Sequence, residues 1–269
     1  MKKFDGVFIV TDMDGTLLDE HSAISAEDSA AIDYFIDNGG LFSVATGRAK
    51  RSVEGFVPEL RTSAPSIVYN GSLAVDLNTG LIVKESTLGQ EGYNLVEDVL
   101  QKFPSVGVEI CLSDEQYVAR NNFYTDRHHK VLGLDLHKKS YKDIAMPWLK
   151  LTLAEEHEVL LDVMEHVCRS YKDSMFAQFS MPYYYEVMAL SASKGDSATW
   201  LMEYLGVPPD NFYTIGDGLN DLELIRASGS NSYAPANASE LILKNAANVL
   251  SNNNGNAIAE LIGILDLKY

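Results

Sequence analysis

The apolar positions of this chain fall into two alternating rhythms. "VFIVTD", Val7 to Asp12, is a short β-branched run closed by charge, the pattern of a strand buried in a parallel sheet. "SAEDSAAIDYFIDNGG" follows with apolar residues at helical spacing, Ser25 placed to cap its start and Gly39-Gly40 to stop it. "LFSVATG" then reads as a strand, "RAKRSVEGFVPEL" as a helix interrupted near Gly55 and Pro58, and "SIVYNG" as a strand. From "SKGDSATWLMEYLGV" the alternation returns, with a helix, the strand "FYTIGD", the helix "NDLELIRAS" and a last helix in "GNAIAELIGIL". Strand alternating with helix predicts an α/β fold with a Rossmann-like, doubly wound, mostly parallel sheet, whose ligands bind beyond the carboxyl ends of the strands.

Between these stretches the rhythm changes. Asn78-Thr79-Gly80 reads as a hairpin turn, "GQEGYNLVEDVLQKF" as a helix, and "VGVEICL" and "QYVARN" as an antiparallel pair about Ser113-Asp114-Glu115. "WLKLTLA", the helix in "EEHEVLLDVMEHVCRSY" and the strands "FAQFS" and "YYYEVMAL" complete the block. The expected organisation is an α/β core made of residues 1–83 and 188–269, interrupted by an inserted α+β domain over residues 84–187.

Composition narrows the functional classes. At 269 residues, with 46% hydrophobic and 22% charged residues, the chain reads as a soluble globular protein of one large domain or two ordinary ones. A formal net charge of −17 argues against a nucleic-acid surface, because phosphate backbones are bound through Lys and Arg that displace counterions. Cys111 and Cys168 match no metal-ligand spacing and are too few for a disulfide framework, so both read as reduced core thiols. Asp5 interrupts the apolar stretch after Lys2 and Lys3, against a signal peptide, and no run approaches the roughly 20 apolar residues of a membrane span. A cytoplasmic protein with no nucleic-acid or membrane partner is the expectation.

Candidate chemistry gathers at the strand ends. Asp12 and Asp14 close the first strand two residues apart, and strand geometry directs both side chains to one side. Such a pair repels itself unless a divalent cation compensates, and the same cation would neutralise an arriving phosphate; a solvated Asp-Met-Asp-Gly turn explains the pair equally well. Thr46-Gly47-Arg48 ends the second strand with a hydroxyl, a permissive backbone and a cation, and Lys194-Gly195 opens a later helix. Each alone fits a helix cap or a surface charge. "GDGLND" adds Asp217, Asn220 and Asp221 within one turn after another strand, a cluster that capping hardly explains.

In this order, "DMDGTLL", "TGR", "SKG" and "GDGLND" resemble the four motifs of the haloacid dehalogenase superfamily, and the resemblance covers nearly the whole chain. The insertion after the third strand, "NG" after "SIVY" and "APANASELIL" are similar to its Cof-type, class IIB branch, mostly small-molecule phosphatases. The resemblance implies a Mg²⁺-dependent hydrolase of small phosphate monoesters such as phosphosugars, with the insertion as a cap. It implies Asp12 as the nucleophile that forms an aspartyl-phosphate and Asp14 as general acid and base. It further implies Mg²⁺ on the Asp12 carboxylate, the Asp14 backbone carbonyl and Asp217, with Asp221 supporting the metal, and Thr46 and Lys194 on the phosphoryl oxygens with Asn220 orienting the cluster. Gly47 and Arg48 complete the phosphate loop, with the partner of Arg48 left open. Pro235 in "SYAPANA" departs from the branch's pattern.

Other residues stay open. Glu186 and Asn70 fit a cap hinge and a strand-end site, or a core salt bridge and an Asn-Gly turn. "TDRHHK", Thr125 to Lys130, reads as substrate-recognition residues or as a solvated loop, and Tyr183 to Tyr185 as a sugar-stacking face or as cap strand and core. Two further functions are compatible with the motifs. One is phosphate transfer to a sugar hydroxyl, as in phosphomannomutase-like relatives. The other, from a different class, is a phospho-accepting signalling module without turnover, disfavoured by the long insertion and by "GDGLND".

Overall fold

A computed structural model describes residues 2–56, 59–132, 135–251 and 255–269; Pro58, where the pattern places a helix break, lies outside them. In chain order the elements are β1 (Phe8–Thr11), α1 (Ala26–Asp37), β2 (Leu41–Val44), α2 (Lys50–Glu54), β3 (Ser66–Val68), β4 (Leu73–Val75), β5 (Ile82–Glu85), α3 (Gln90–Lys102), β6 (Gly107–Cys111), β7 (Gln116–Arg120) and α4 (Phe123–Leu132). They continue with β8 (Lys150–Ala154), α5 (His157–Ser170), β9 (Met175–Met181), β10 (Tyr184–Ala189), α6 (Lys194–Tyr204), β11 (Phe212–Ile215), α7 (Leu222–Ala227), β12 (Ser232–Ala234), α8 (Glu240–Asn245), β13 (Asn248–Val249) and α9 (Ala257–Lys268). The chain divides into two compact units: Met1–Arg48 with Val53–Lys84 and Ser193–Tyr269, and Ala49–Ser52 with Glu85–Ala192.

The first unit is built on a sheet of order β13-β12-β11-β1-β2, in which every neighbouring pair is parallel. β1 is buried along its whole length, as an apolar β-branched run in a parallel sheet requires. A parallel bridge from Ala45 to Ile67 continues the sheet toward β3, which pairs antiparallel with β4. Chain order reverses between β1 and β11, the kind of switch point at which open α/β sheets bind ligands beyond the strand ends. Helices cover the sheet. Ser25 caps α1, its side chain accepting from the Asp28 amide at 3.0 Å, and α1 packs on α9. The α/β, Rossmann-like architecture read from the sequence is the one observed.

The second unit is an antiparallel sheet of order β7-β6-β8-β10-β9. Its two faces differ by strand alternation. Val108, Ile110, Leu151, Leu153, Tyr185 and Val187 form a core with buried side chains of α3 and α5. On the opposite face Glu109, Thr152 and Glu186 stand in register and are all buried. Lys150 meets Glu186 at 2.6 Å, so the salt-bridge reading of Glu186 holds. "TDRHHK" lies in the helix α4 instead of a solvated loop. His129 is buried, and His128 meets the Glu109 carboxylate at 2.7 Å. Tyr184 and Tyr185 are buried, as cap strand and core would have them.

Three other readings are corrected. "SIVYNG" is strand only to Val68, because the next three residues turn in the left-handed region. The helix read over "RAKRSVEGFVPEL" is reduced to Lys50–Glu54 among the described residues. Cys111 is buried, but Cys168 is exposed and therefore no core thiol; both are free. Burial pushes the Cys111 thiol up to about 12, so it stays protonated and inert. No helix among the described residues is long and apolar enough to cross a membrane.

Candidate active site

Three strand ends of the parallel sheet converge. Asp12 directly follows β1, where its amide donates to the Ile215 carbonyl of β11 at 2.9 Å. Thr46 follows β2 and Asp217 follows β11. Across them lies Lys194, the first residue of α6, positioned by the Ser193 cap.

Lys194 is fully buried, and its ammonium lies 2.6 Å from Asp12 Oδ1 and 2.6 Å from Asp221 Oδ1. The other Asp221 oxygen accepts from the amides of Asp217 at 3.1 Å and Gly218 at 2.9 Å, which folds the "GDGLND" turn around it. Asp217 accepts from the Thr16 hydroxyl at 2.8 Å. Asp12, Asp217 and Asp221 each offer an oxygen, and these atoms lie within 4.8 Å of one another. With all three carboxylates ionised, one ammonium would leave two negative charges, which a single divalent cation would balance. All-oxygen donors and this charge fit a hard cation such as Mg²⁺. Gly15 preserves the space: its φ is +82°, and a Cβ there would stand 2.4 Å from Asp217 Oδ2.

The charges tune one another. Burial, then the neighbouring Asp221 carboxylate, holds the Asp12 carboxyl well above the usual carboxylate range, with Lys194 opposing. Burial likewise pushes Asp217 up to about 6, against the Thr16 hydrogen bond. Lys194 is raised by Asp12 and Asp221 despite its burial, so it stays charged.

Asp14 stands apart from this group. It is exposed and takes a bidentate hold from Arg48, Nε to Oδ2 at 2.8 Å and a terminal nitrogen to Oδ1 at 2.5 Å. β1 ends at Thr11, so the strand alternation that would aim Asp12 and Asp14 the same way does not extend to them. The Thr46 hydroxyl is buried and accepts from the Arg48 amide at 3.1 Å. Asn220 donates to the Asn70 side chain at 3.3 Å. Thr16 and Asn237, the latter donating to the Gly15 carbonyl at 2.8 Å, are site residues to which the sequence reading gave no role. The quoted motifs "DMDGTLL" and "APANASELIL" contain both, which was the available signal.

Comparison with known proteins places this geometry. Residues 9–262 match the model of the family described as haloacid dehalogenase-like hydrolase. The chain is 27% identical over 257 residues to the 5-amino-6-(5-phospho-D-ribitylamino)uracil phosphatase YcsE of Bacillus subtilis, covering 94% of this chain and 93% of the relative. Over 259 residues it is 23% identical to the Escherichia coli protein of the same description, YbjI, covering 94% of each. The crystal structure of a haloacid dehalogenase-like hydrolase from Bacteroides thetaiotaomicron shares the fold, with a TM-score of 0.81 at 21% identity and coverage of 98% of this chain and 99% of that one. With its motif order, parallel sheet and acidic cluster at the switch point, the chain belongs to the haloacid dehalogenase-like hydrolase family, in its Cof-type branch.

Proposed function

We propose that the protein is a cytoplasmic phosphatase that hydrolyses small phosphate monoesters with Mg²⁺ through an aspartyl-phosphate on Asp12. The observation that carries this reading is the separation of two carboxylates two residues apart: Asp12 buried against Lys194, Asp14 exposed against Arg48. Different surroundings suit them to different work. In the first step an Asp12 oxygen attacks phosphorus, the bond from phosphorus to the ester oxygen breaks, and Asp14 gives its proton to the leaving alkoxide. In the second, Asp14 takes a proton from water, the water oxygen attacks phosphorus, and the bond to Asp12 breaks.

Lys194 and Thr46 hold phosphoryl oxygens where charge grows in the transition state, and Gly47 gives the loop a close approach. The bidentate hold of Arg48 on Asp14 must open for the Asp14 carboxyl to reach the leaving oxygen. Mg²⁺ would be held by the carboxylates of Asp12 and Asp217 and the Asp14 carbonyl, with Asp221 and Asn220 supporting, and it supplies charge neutralisation for the phosphoryl group. Residues 84–187 would form the cap that selects the leaving group. The relatives' named substrate, a phosphorylated ribityl chain, belongs to the phosphosugar-like class proposed here.

Hydrolysis of an aryl phosphate with Mg²⁺, with chelator and by Asp12→Asn tests the reading. Turnover that needs both metal and Asp12 supports it and justifies a panel of phosphosugars and phosphoribityl compounds. Turnover indifferent to either overturns it, and product analysis separates hydrolysis from transfer to a sugar hydroxyl.

A further inference from the structure

We propose that Asn70 is a positioning residue that sets the spacing of the Thr46-Gly47-Arg48 loop, the Asn220 turn and the helix of Lys194, an inference that rests on the phosphatase reading. Tyr69, Asn70 and Gly71 form the turn from β3 to β4 with φ of 52°, 54° and 109°, three consecutive residues in the left-handed region, two of them with a Cβ. An ordinary Asn-Gly turn accounts for Asn70 and Gly71 there but not for Tyr69, and it would leave the Asn side chain in solvent. Here Asn70 is fully buried.

Such a conformation persists only where its surroundings over-determine it. The Tyr69 amide donates to the Arg48 carbonyl at 3.0 Å and the Asn70 amide to the Thr46 carbonyl at 2.9 Å. The Ser197 hydroxyl of α6, one turn from Lys194, donates to the Gly71 carbonyl at 2.7 Å. The Asn70 side-chain oxygen accepts from Asn220 at 3.3 Å, and it lies where a Cβ on Gly47 would approach to 2.9 Å. One strained turn therefore meets the Thr46-Gly47-Arg48 loop, the Asn220 turn and the helix of Lys194. Asn70 acts through these neighbours and places them at one separation.

The test compares wild type with Asn70→Gly, which keeps a residue at home in the left-handed region and deletes the side chain. Asn70→Asp, which tolerates the same backbone and keeps the shape, serves as the second variant. Four quantities are read: the thermal midpoint, the affinity for orthovanadate in Mg²⁺, and kcat and KM for an aryl phosphate. Asn70→Gly is expected to unfold no earlier than wild type, to bind orthovanadate at least about tenfold more weakly, and to lose about tenfold or more in kcat with KM changed by less than about threefold. Added to Asn220→Ala, it is expected to cost less than about twofold more, since the two act as one unit. Orthovanadate affinity and kcat within about twofold of wild type in both variants would overturn the proposal, as would losses that appear only with a matching fall in thermal midpoint. Absence of turnover in the wild type would sink the phosphatase reading while the orthovanadate comparison still decides Asn70. A wild type that binds no orthovanadate overturns both.

Discussion

Replacing Asp28 with asparagine should change how stability depends on pH. Asp28 lies on α1, fully buried, and its Oδ1 accepts from the Ala259 amide at 2.7 Å in the first turn of α9. Burial pushes its carboxyl from the ordinary 3.8 to about 6, against the hydrogen bonds from the Ala259 and Ile258 amides. Below 3.8 the group is protonated in folded and unfolded chains alike, so it imposes no pH dependence. Between 3.8 and about 6 the folded state keeps a proton that the unfolded chain releases, and stability falls as pH rises. At about 1.4 kcal/mol per pH unit the full loss is at most about 3 kcal/mol, complete above the folded value. Asparagine keeps the acceptor and never ionises. Urea unfolding of both proteins from about pH 4 to 8 should show the variant's relative stability rising with pH by up to about 3 kcal/mol, then levelling. A difference that stays flat, or that falls as pH rises, would show that Asp28 does not keep its proton in the folded state.

Other outcomes follow from single contacts. Gly15→Ala places a Cβ 2.4 Å from Asp217 Oδ2; the left-handed backbone alone costs about 1–2 kcal/mol, and Mg²⁺ affinity measured by calorimetry should fall about tenfold or more. Glu186→Gln leaves the buried Lys150 ammonium facing an amide and should destabilise the fold by about 3–5 kcal/mol in denaturant titration; a loss under about 1 kcal/mol would place that pair with surface ion pairs. Chelation should stop turnover and added Mg²⁺ restore it, and metal-independent hydrolysis would exclude the role given to Asp217.

How much of this was legible depended on whether the signal was local. The apolar stripes of α3 and α5 and the alternation of β6 and β7 announce themselves within a few residues, and their positions agree with the sequence pattern. α4 did not, because the residues it buries include Thr125 and His129, polar side chains that leave no apolar stripe. Tyr69 ends β3 early through a backbone conformation that no composition signals. The site residues were legible as motifs, since each motif sits in one short stretch. Their pairings were not: Arg48 with Asp14, Asn220 with Asn70 and Thr16 with Asp217 arise only where the sheet brings distant strand ends together.

The central claim is covalent attack by Asp12, and trapping tests it most directly. The enzyme would be mixed with an aryl phosphate and Mg²⁺, quenched and reduced with borohydride, which converts an aspartyl-phosphate to homoserine. The peptide containing position 12 would then be weighed. Homoserine is expected at position 12, absent without Mg²⁺ or substrate, with no conversion at Asp14. Turnover with an unmodified Asp12, or conversion at another aspartate, would contradict that claim.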